Sequence, residues 1–213
     1  MRQCYSGDAV TTVFNELLSA FQGFLRAFDR EPVRSFVAEI DWNMRPRALA
    51  PHGLACLEHL DRIARIAADQ ARPLARLLET RRGDFRWGQT YTAADFSHRF
   101  IDNYGWLEVF GTRGHFECRK TAGGLLVLGP DTVYPDHHHF AEEIYIPLTG
   151  GAEWRMGDGA FRRREANEII HHASNVNHAM RTGDEPLLAL YLWRGGPLAA
   201  RSTVTGAATQ GRR

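Results

Sequence analysis

Residues Tyr134 to Gly150 read YPDHHHFAEEIYIPLTG. His137 and His139 stand two apart, so on a strand both imidazoles point to one face. Glu143 follows His139 by four residues, and Gly150 follows Glu143 by seven. Two imidazoles and one carboxylate converging on a point suit a borderline divalent metal such as Zn²⁺, Fe²⁺, Mn²⁺ or Ni²⁺. His138 faces the other way by alternation and is expected behind the ligands or toward solvent. A fourth ligand is expected from a later strand, and His178 in NVNHAM, residues 175–180, is the natural candidate. A triple histidine can equally occupy a solvated loop, and the chain has 10 histidines. The spaced glutamate, the glycine after it and the late histidine fall where a closed site needs them, which favours a built site.

The surroundings of this segment are β-rich. Short runs alternate with Gly, Pro, Asn and Asp: Phe96–Ile101, Trp106–Phe110, His115–Arg119, Leu125–Leu128, Glu143–Leu148, Ala152–Met156, Ala160–Arg164, Glu168–Ile170 and Leu187–Trp193. Their close spacing predicts an antiparallel sandwich or barrel rather than a parallel βαβ sheet. Gly157-Asp158-Gly159, between Met156 and Phe161, signals a hairpin. In the strand Leu187–Trp193, Tyr191 and Trp193 alternate with Leu190 and Leu192, and periodicity does not say which face is core.

Before this region the period changes to that of a helix. Val13, Phe14, Leu17, Leu18, Phe21, Phe24, Leu25 and Phe28 recur at three- and four-residue steps. Pro32 suits a new helix start, a second stripe runs from Leu54 through Ala67, and Pro73 is expected to break it before one more short turn. The expected organisation is a helical region over 1–82, a β domain over 83–198 and a fraying tail over 199–213.

Composition narrows the function. The chain has 213 residues, with 26 Lys+Arg against 25 Asp+Glu and a net charge of +1, which argues against a nucleic-acid binder driven by bulk charge. No apolar run approaches the roughly 18 residues of a membrane span. The start, MRQCYSGDAV, does not read as a signal peptide, and Cys4, Cys56 and Cys118 form neither a disulfide framework nor a CxxC pair. A cytoplasmic setting, no membrane partner and no nucleic-acid partner are expected. Unpartnered helical faces leave room for a homodimer.

The spacing of His137, His139, Glu143 and Gly150, with His178 later, resembles the two motifs of the cupin superfamily of small antiparallel β-barrels. The leading glycine of the first motif is replaced by Asp131, with Gly129 nearby, and the Pro and Gly of the second by Ala173 and Asn175. Asn tolerates the left-handed backbone that glycine usually supplies. The run YPDHHHFAEEIY with HHASNVNHAMRTGDEPLLALYLWRG is similar to the cupin-type dimethylsulfoniopropionate (DMSP) lyases, in their DddL and DddQ branches. The close resemblance spans Leu125 to Gly195, about a third of the chain.

This resemblance implies a cupin barrel (double-stranded β-helix) preceded by α-helices and one divalent ion per chain. Zn²⁺ or Fe²⁺ comes first, with Mn²⁺, Ni²⁺ or Co²⁺ also compatible. It implies that His137, His139, Glu143 and His178 hold the ion, that Tyr145 is the general base, and that Tyr134 and Trp193 line the substrate pocket. Tyr134 is the next candidate for the base, and Tyr191 joins the pocket as a further aromatic face. The implied reaction is β-elimination of DMSP to dimethyl sulfide and acrylate. A sulfonium has no hydrogen bond to give or take, so aromatic faces suit it. Trp106 and Trp154 are expected in packing, Tyr91 has no assigned role, and His171, His172 and His115 stay unassigned. The metal shell alone also permits a dioxygenase or a sugar isomerase, and a non-catalytic ligand-binding cupin is a third class. Tyr145 beside the metal favours the lyase.

Overall fold

A computed structural model describes residues 7–205. Helix α1 (Gly7–Leu25) carries the first apolar stripe, with Val13, Phe14, Leu17, Phe21, Phe24 and Leu25 buried. Helix α2 (Val33–Ala38) starts directly after Pro32. The second stripe forms a 3₁₀ turn, Ala55–His59, that runs into α3 (Leu60–Ile66). Pro73 begins a helix instead of breaking one. It sits in the first turn of α4 (Arg72–Arg81), where its missing N–H costs no intrahelical bond. Among the described residues no helix is long and apolar enough to cross a membrane.

The expected strand at Phe96–Ile101 is a helix, α5 (His98–Asn103). The Ser97 hydroxyl caps it, accepting from the Phe100 N–H at 3.3 Å. Phe96 and Phe100 lie four apart with rings 4.7 Å between centroids, a helical rather than an alternating pair.

Eleven strands follow among the described residues: β1 (Tyr104–Gly111), β2 (Phe116–Glu117), β3 (Thr121–Leu128), β4 (Val133–His138), β5 (Glu142–Pro147), β6 (Glu153–Met156), β7 (Arg162–Arg163), β8 (Ile170–His172), β9 (His178–Arg181), β10 (Leu187–Arg194) and β11 (Thr203–Val204). They form a six-stranded sheet, β2-β1-β3-β10-β5-β8, and a five-stranded sheet, β11-β4-β9-β6-β7. Pairing is antiparallel except for β1 with β2. No ladder joins the two sheets among the described residues, so the expected barrel is a cupin-like pair of facing sheets rather than a closed cylinder. The hairpin at Gly157 is present, with φ +54 at that residue and Trp154 opposite Arg162.

Alternation on the six-stranded sheet separates core from site. Leu188, Leu190 and Leu192 of β10 join the helices in one apolar cluster. Ala189 and Tyr191 join Tyr134, Trp154 and Met180 of the other sheet in a second, with Trp193 packed against it. On β1, Leu107 and Val109 face the helices while Trp106 and Glu108 face the interior. A bulge between Glu108 and Phe110 then returns Phe110 to the helical side, 5.7 Å from the ring of Phe21. Each such buried Leu or Phe contributes roughly 1.5–3 kcal/mol.

The segment after Ala199, expected to fray, is docked as far as Thr205. Strand β11 pairs with β4, placing Thr203 opposite His138 and Val204 opposite His137. Arg201 pairs with Asp95 at 2.6 Å, and the Thr205 N–H donates to Asp136 O at 2.8 Å. The rest of that expectation, 206–213, lies outside the described residues.

Candidate active site

The inner faces of the two sheets bring the predicted ligands together. His137 on β4 stands opposite His178 on β9, with imidazole centroids 4.1 Å apart. His139 follows β4 directly, and Glu143 lies on β5. All four are buried, and Glu143 and His178 are 0% exposed. Glu143 Oε2 lies 3.1 Å from His139 Nε2 and 3.3 Å from His178 Nε2. His138 is half-buried.

Backbone carbonyls set the tautomers. Nδ1 of His137 meets Pro135 O at 2.9 Å, that of His139 meets Ala141 O at 2.8 Å, and that of His178 meets Val176 O at 2.9 Å. A carbonyl only accepts, so each Nδ1 carries the hydrogen and each Nε2 is left to bind an ion. The Nε2 of His178 is buried with no hydrogen-bond partner. Ligand atoms of His137, His139 and His178 lie within 4.8 Å of one another, as do those of Glu143, His172 and His178, and such imidazole and carboxylate donors could hold a divalent ion.

Charge in the site is coupled. Burial opposes ionisation of Glu143, but the imidazoles around it, His139 first, hold its pKa well below the usual carboxylate range. Burial works against a charged His139, yet Glu143 raises its pKa. His137 is driven well down by burial and by His178.

A cavity of about 50 Å³ opens beside these groups. His137, Glu143, Tyr134, Tyr145, Tyr191 and Trp193 line it, which brings every predicted pocket residue to one place. The Tyr134 ring stacks on His137 at 4.2 Å, and its hydroxyl donates to Tyr91 Oη at 3.3 Å. The Trp193 ring lies 4.3 Å from His139, and its Nε1–H donates to Glu143 Oε1. Burial first, then Glu143, raises the Tyr145 pKa well above its ordinary value. Asp131 and Asn175, at the two altered glycine positions, have φ +46 and +61, so both turns keep the left-handed backbone.

A profile of the dimethylsulfoniopropionate lyase family matches residues 32–189. The chain belongs to the DMSP lyase family. Over 110 residues it is 36% identical to dimethylsulfoniopropionate lyase DddQ of Ruegeria pomeroyi, a match covering 52% of this chain and 55% of that one. It is 32% identical over 94 residues to a putative DMSP lyase, DddL, of Cereibacter sphaeroides, covering 43% of this chain and 39% of that one. The matches therefore span about half or less of the length of those relatives. A chain from the crystal structures of the DMSP lyases RdDddP and RnDddQII superimposes with a TM-score of 0.83 at 28% identity, covering 92% of this chain and 99% of that one. The crystal structure of DddQ from Ruegeria pomeroyi DSS-3 gives 0.80 at 27% identity, covering 91% and 96%.

In this DMSP lyase family member the cavity also has walls that sequence reading passed over. Trp106, expected in packing, lines it and donates from Nε1 to Thr90 Oγ1 at 3.1 Å. Tyr104, Glu108, Arg113 and Ser202 also line it. Tyr91, given no role, is buried against Tyr134, with ring centroids 5.9 Å apart. Glu108 carried a legible signal, a carboxylate inside an apolar strand. Ser202 carried none, because only the docking of β11 brings it there. Trp154 is core, as expected, and His115 packs edge-on against Phe14 at 4.4 Å, away from the site. His171 bonds Glu142 at 2.6 Å on the helical side, whereas His172 is buried beside Glu143.

Proposed function

We propose that this chain cleaves DMSP to dimethyl sulfide and acrylate by β-elimination, with Tyr145 as general base and Tyr134 as the next candidate. The proposal includes one divalent ion per chain, Zn²⁺ or Fe²⁺ first, held by His137, His139, Glu143 and His178. The carrying observation is that Glu143 and Tyr145, two apart on β5, line one cavity with His137 and the aromatic residues. When bound, the ion supplies a Lewis acid for the substrate carboxylate and a positive charge that favours phenolate at Tyr145.

The residues then divide the work. The Tyr145 oxygen takes the proton from the carbon next to the carboxylate. The C–H electron pair becomes the new C=C bond, and the C–S bond breaks with its pair leaving on sulfur. Acrylate and neutral dimethyl sulfide result, and Tyr145 passes its proton on to solvent. Tyr134, Tyr191 and Trp193, joined by Tyr104 and Trp106, offer aromatic faces to the sulfonium, each worth about 0.5–2 kcal/mol. Without the ion the surrounding imidazoles already hold the Glu143 pKa down against burial, which suits it to bind the ion as a carboxylate.

The test is headspace detection of dimethyl sulfide from purified chain given DMSP, with and without chelator. Wild type should release it, and chelator should abolish release. Tyr145→Phe should retain metal and fold yet lose about two to four orders of magnitude in rate. A near-normal rate in that variant moves the base to Tyr134. No release by the metal-loaded wild type overturns the reading.

A further inference from the structure

His172 sits within this site without a role. It ends β8, the edge strand of its sheet, directly opposite Glu143 of β5. Directly opposed residues of an antiparallel pair share a face and come close together. His172 is 1% exposed, and its Nδ1 lies 3.4 Å from Glu143 Oε2. Its ring stacks on His178, with centroids 4.0 Å apart and planes 19° apart. Its Nε2 is buried without a hydrogen-bond partner. His171 next to it points away, with its ring 6.3 Å from Phe36 on the helical side, so alternation puts one histidine of the pair inside.

Besides the Nε2 atoms of His139 and His178, which face the proposed ion, two groups approach Glu143. The Trp193 indole N–H takes Oε1, and His172 Nδ1 faces Oε2. A carboxylate accepts and does not donate, so the hydrogen of a neutral His172 belongs on Nδ1. Partners behind a ligating carboxylate fix its rotation and its basicity. Glu143 has no backbone carbonyl to orient it, unlike the Nδ1 of each ligating histidine. We propose that His172 is a positioning residue for the metal centre: its Nδ1–H and the Trp193 indole N–H together hold the Glu143 carboxylate in place to bind the ion.

This rests on the metal site proposed above. Zn²⁺ affinity of the full chain, measured by competition with a chromophoric chelator, tests both without any turnover. Two variants separate the donor from the stack. His172→Phe keeps a ring against His178 and removes the donor. His172→Asn keeps an N–H donor near the position of Nδ1 and removes the stack. The expected result is affinity about 10–100-fold weaker for His172→Phe and within about threefold of wild type for His172→Asn. Wild-type affinity in His172→Phe overturns the proposal, and so does loss confined to His172→Asn, which would make the stack the important contact. Equal loss in both, with a changed Co²⁺ visible spectrum, would make His172 a ligand and also overturn it. If His172→Phe fails to fold, a more than tenfold loss in folded His172→Asn overturns the proposal and retention near wild type supports it. A wild-type chain that binds no ion overturns the metal site itself, an outcome visible before any variant is made.

Discussion

His137, His139 and His178 owe their readiness for a metal to main-chain carbonyls two residues away, at Pro135, Ala141 and Val176. If they hold the proposed ion, removing an imidazole removes a ligand. His139→Ala and His178→Ala should each lose most bound metal, and elemental analysis of the purified variants checks this. His138→Ala should keep the wild-type content, because alternation along β4 sets the half-buried His138 on the face opposite His137. Unchanged metal content in the first two variants would remove these residues from the ligand set. The candidate ligands His137, His139 and Glu143 were legible because their spacing is local, while His178 comes from a later strand. The indole bond from Trp193 to Glu143 was not, because fifty residues separate the pair. From sequence Trp193 reads as an aromatic face, and the fold adds a hydrogen-bond donor to it.

At the scale of elements, the turns matter as much as the strands. Asn175 leads into the β9 strand that carries His178, and its backbone sits at φ +61. Left-handed backbone costs a branched residue roughly 1–2 kcal/mol, while Gly takes it freely. Asn175→Gly should match or slightly exceed wild-type stability, and Asn175→Val should be destabilised by about 1–2 kcal/mol with weaker metal binding. Denaturant melts with parallel Zn²⁺ titrations measure both, and equal stability of the two variants would count against the turn as the constraint. The altered glycine positions in the sequence pointed to this turn. The helix at His98–Asn103 was misread because its apolar residues suit either period over so short a run, and the Ser97 cap decides.

For the whole molecule, the six-stranded sheet has two faces with different duties. Helices pack on one, and the site lies on the other. Arg194 ties the sheet to the helical layer on the first face, reaching Glu142 at 2.7 Å and Glu39 at 2.9 Å. Phe21, 0% exposed, packs at 5.7 Å on Phe110 on the helical face only. Phe21→Ala should therefore cost about 3–5 kcal/mol of stability while the folded protein keeps its metal affinity. Chemical denaturation and Zn²⁺ titration at low temperature read the two effects apart. A large fall in affinity of the folded variant would mean that helical packing shapes the site directly.

By itself the sequence determined what depends on near neighbours. The helical stripe of Val13 to Phe28, the alternating runs, the Gly157 hairpin and the His137, His139, Glu143 spacing all follow from periods of two and 3.6 residues and from turn chemistry. Only the tertiary structure decided which face of β10 holds Tyr191 and Trp193, since alternation defines two faces without naming the inner one. It also decided that Trp106 and Ser202 close the cavity and that His172 stands opposite Glu143. Those contacts come from strand register and from the docking of β11 on β4, and no short-range pattern encodes them, because their energy comes from surfaces that meet only when distant segments pack.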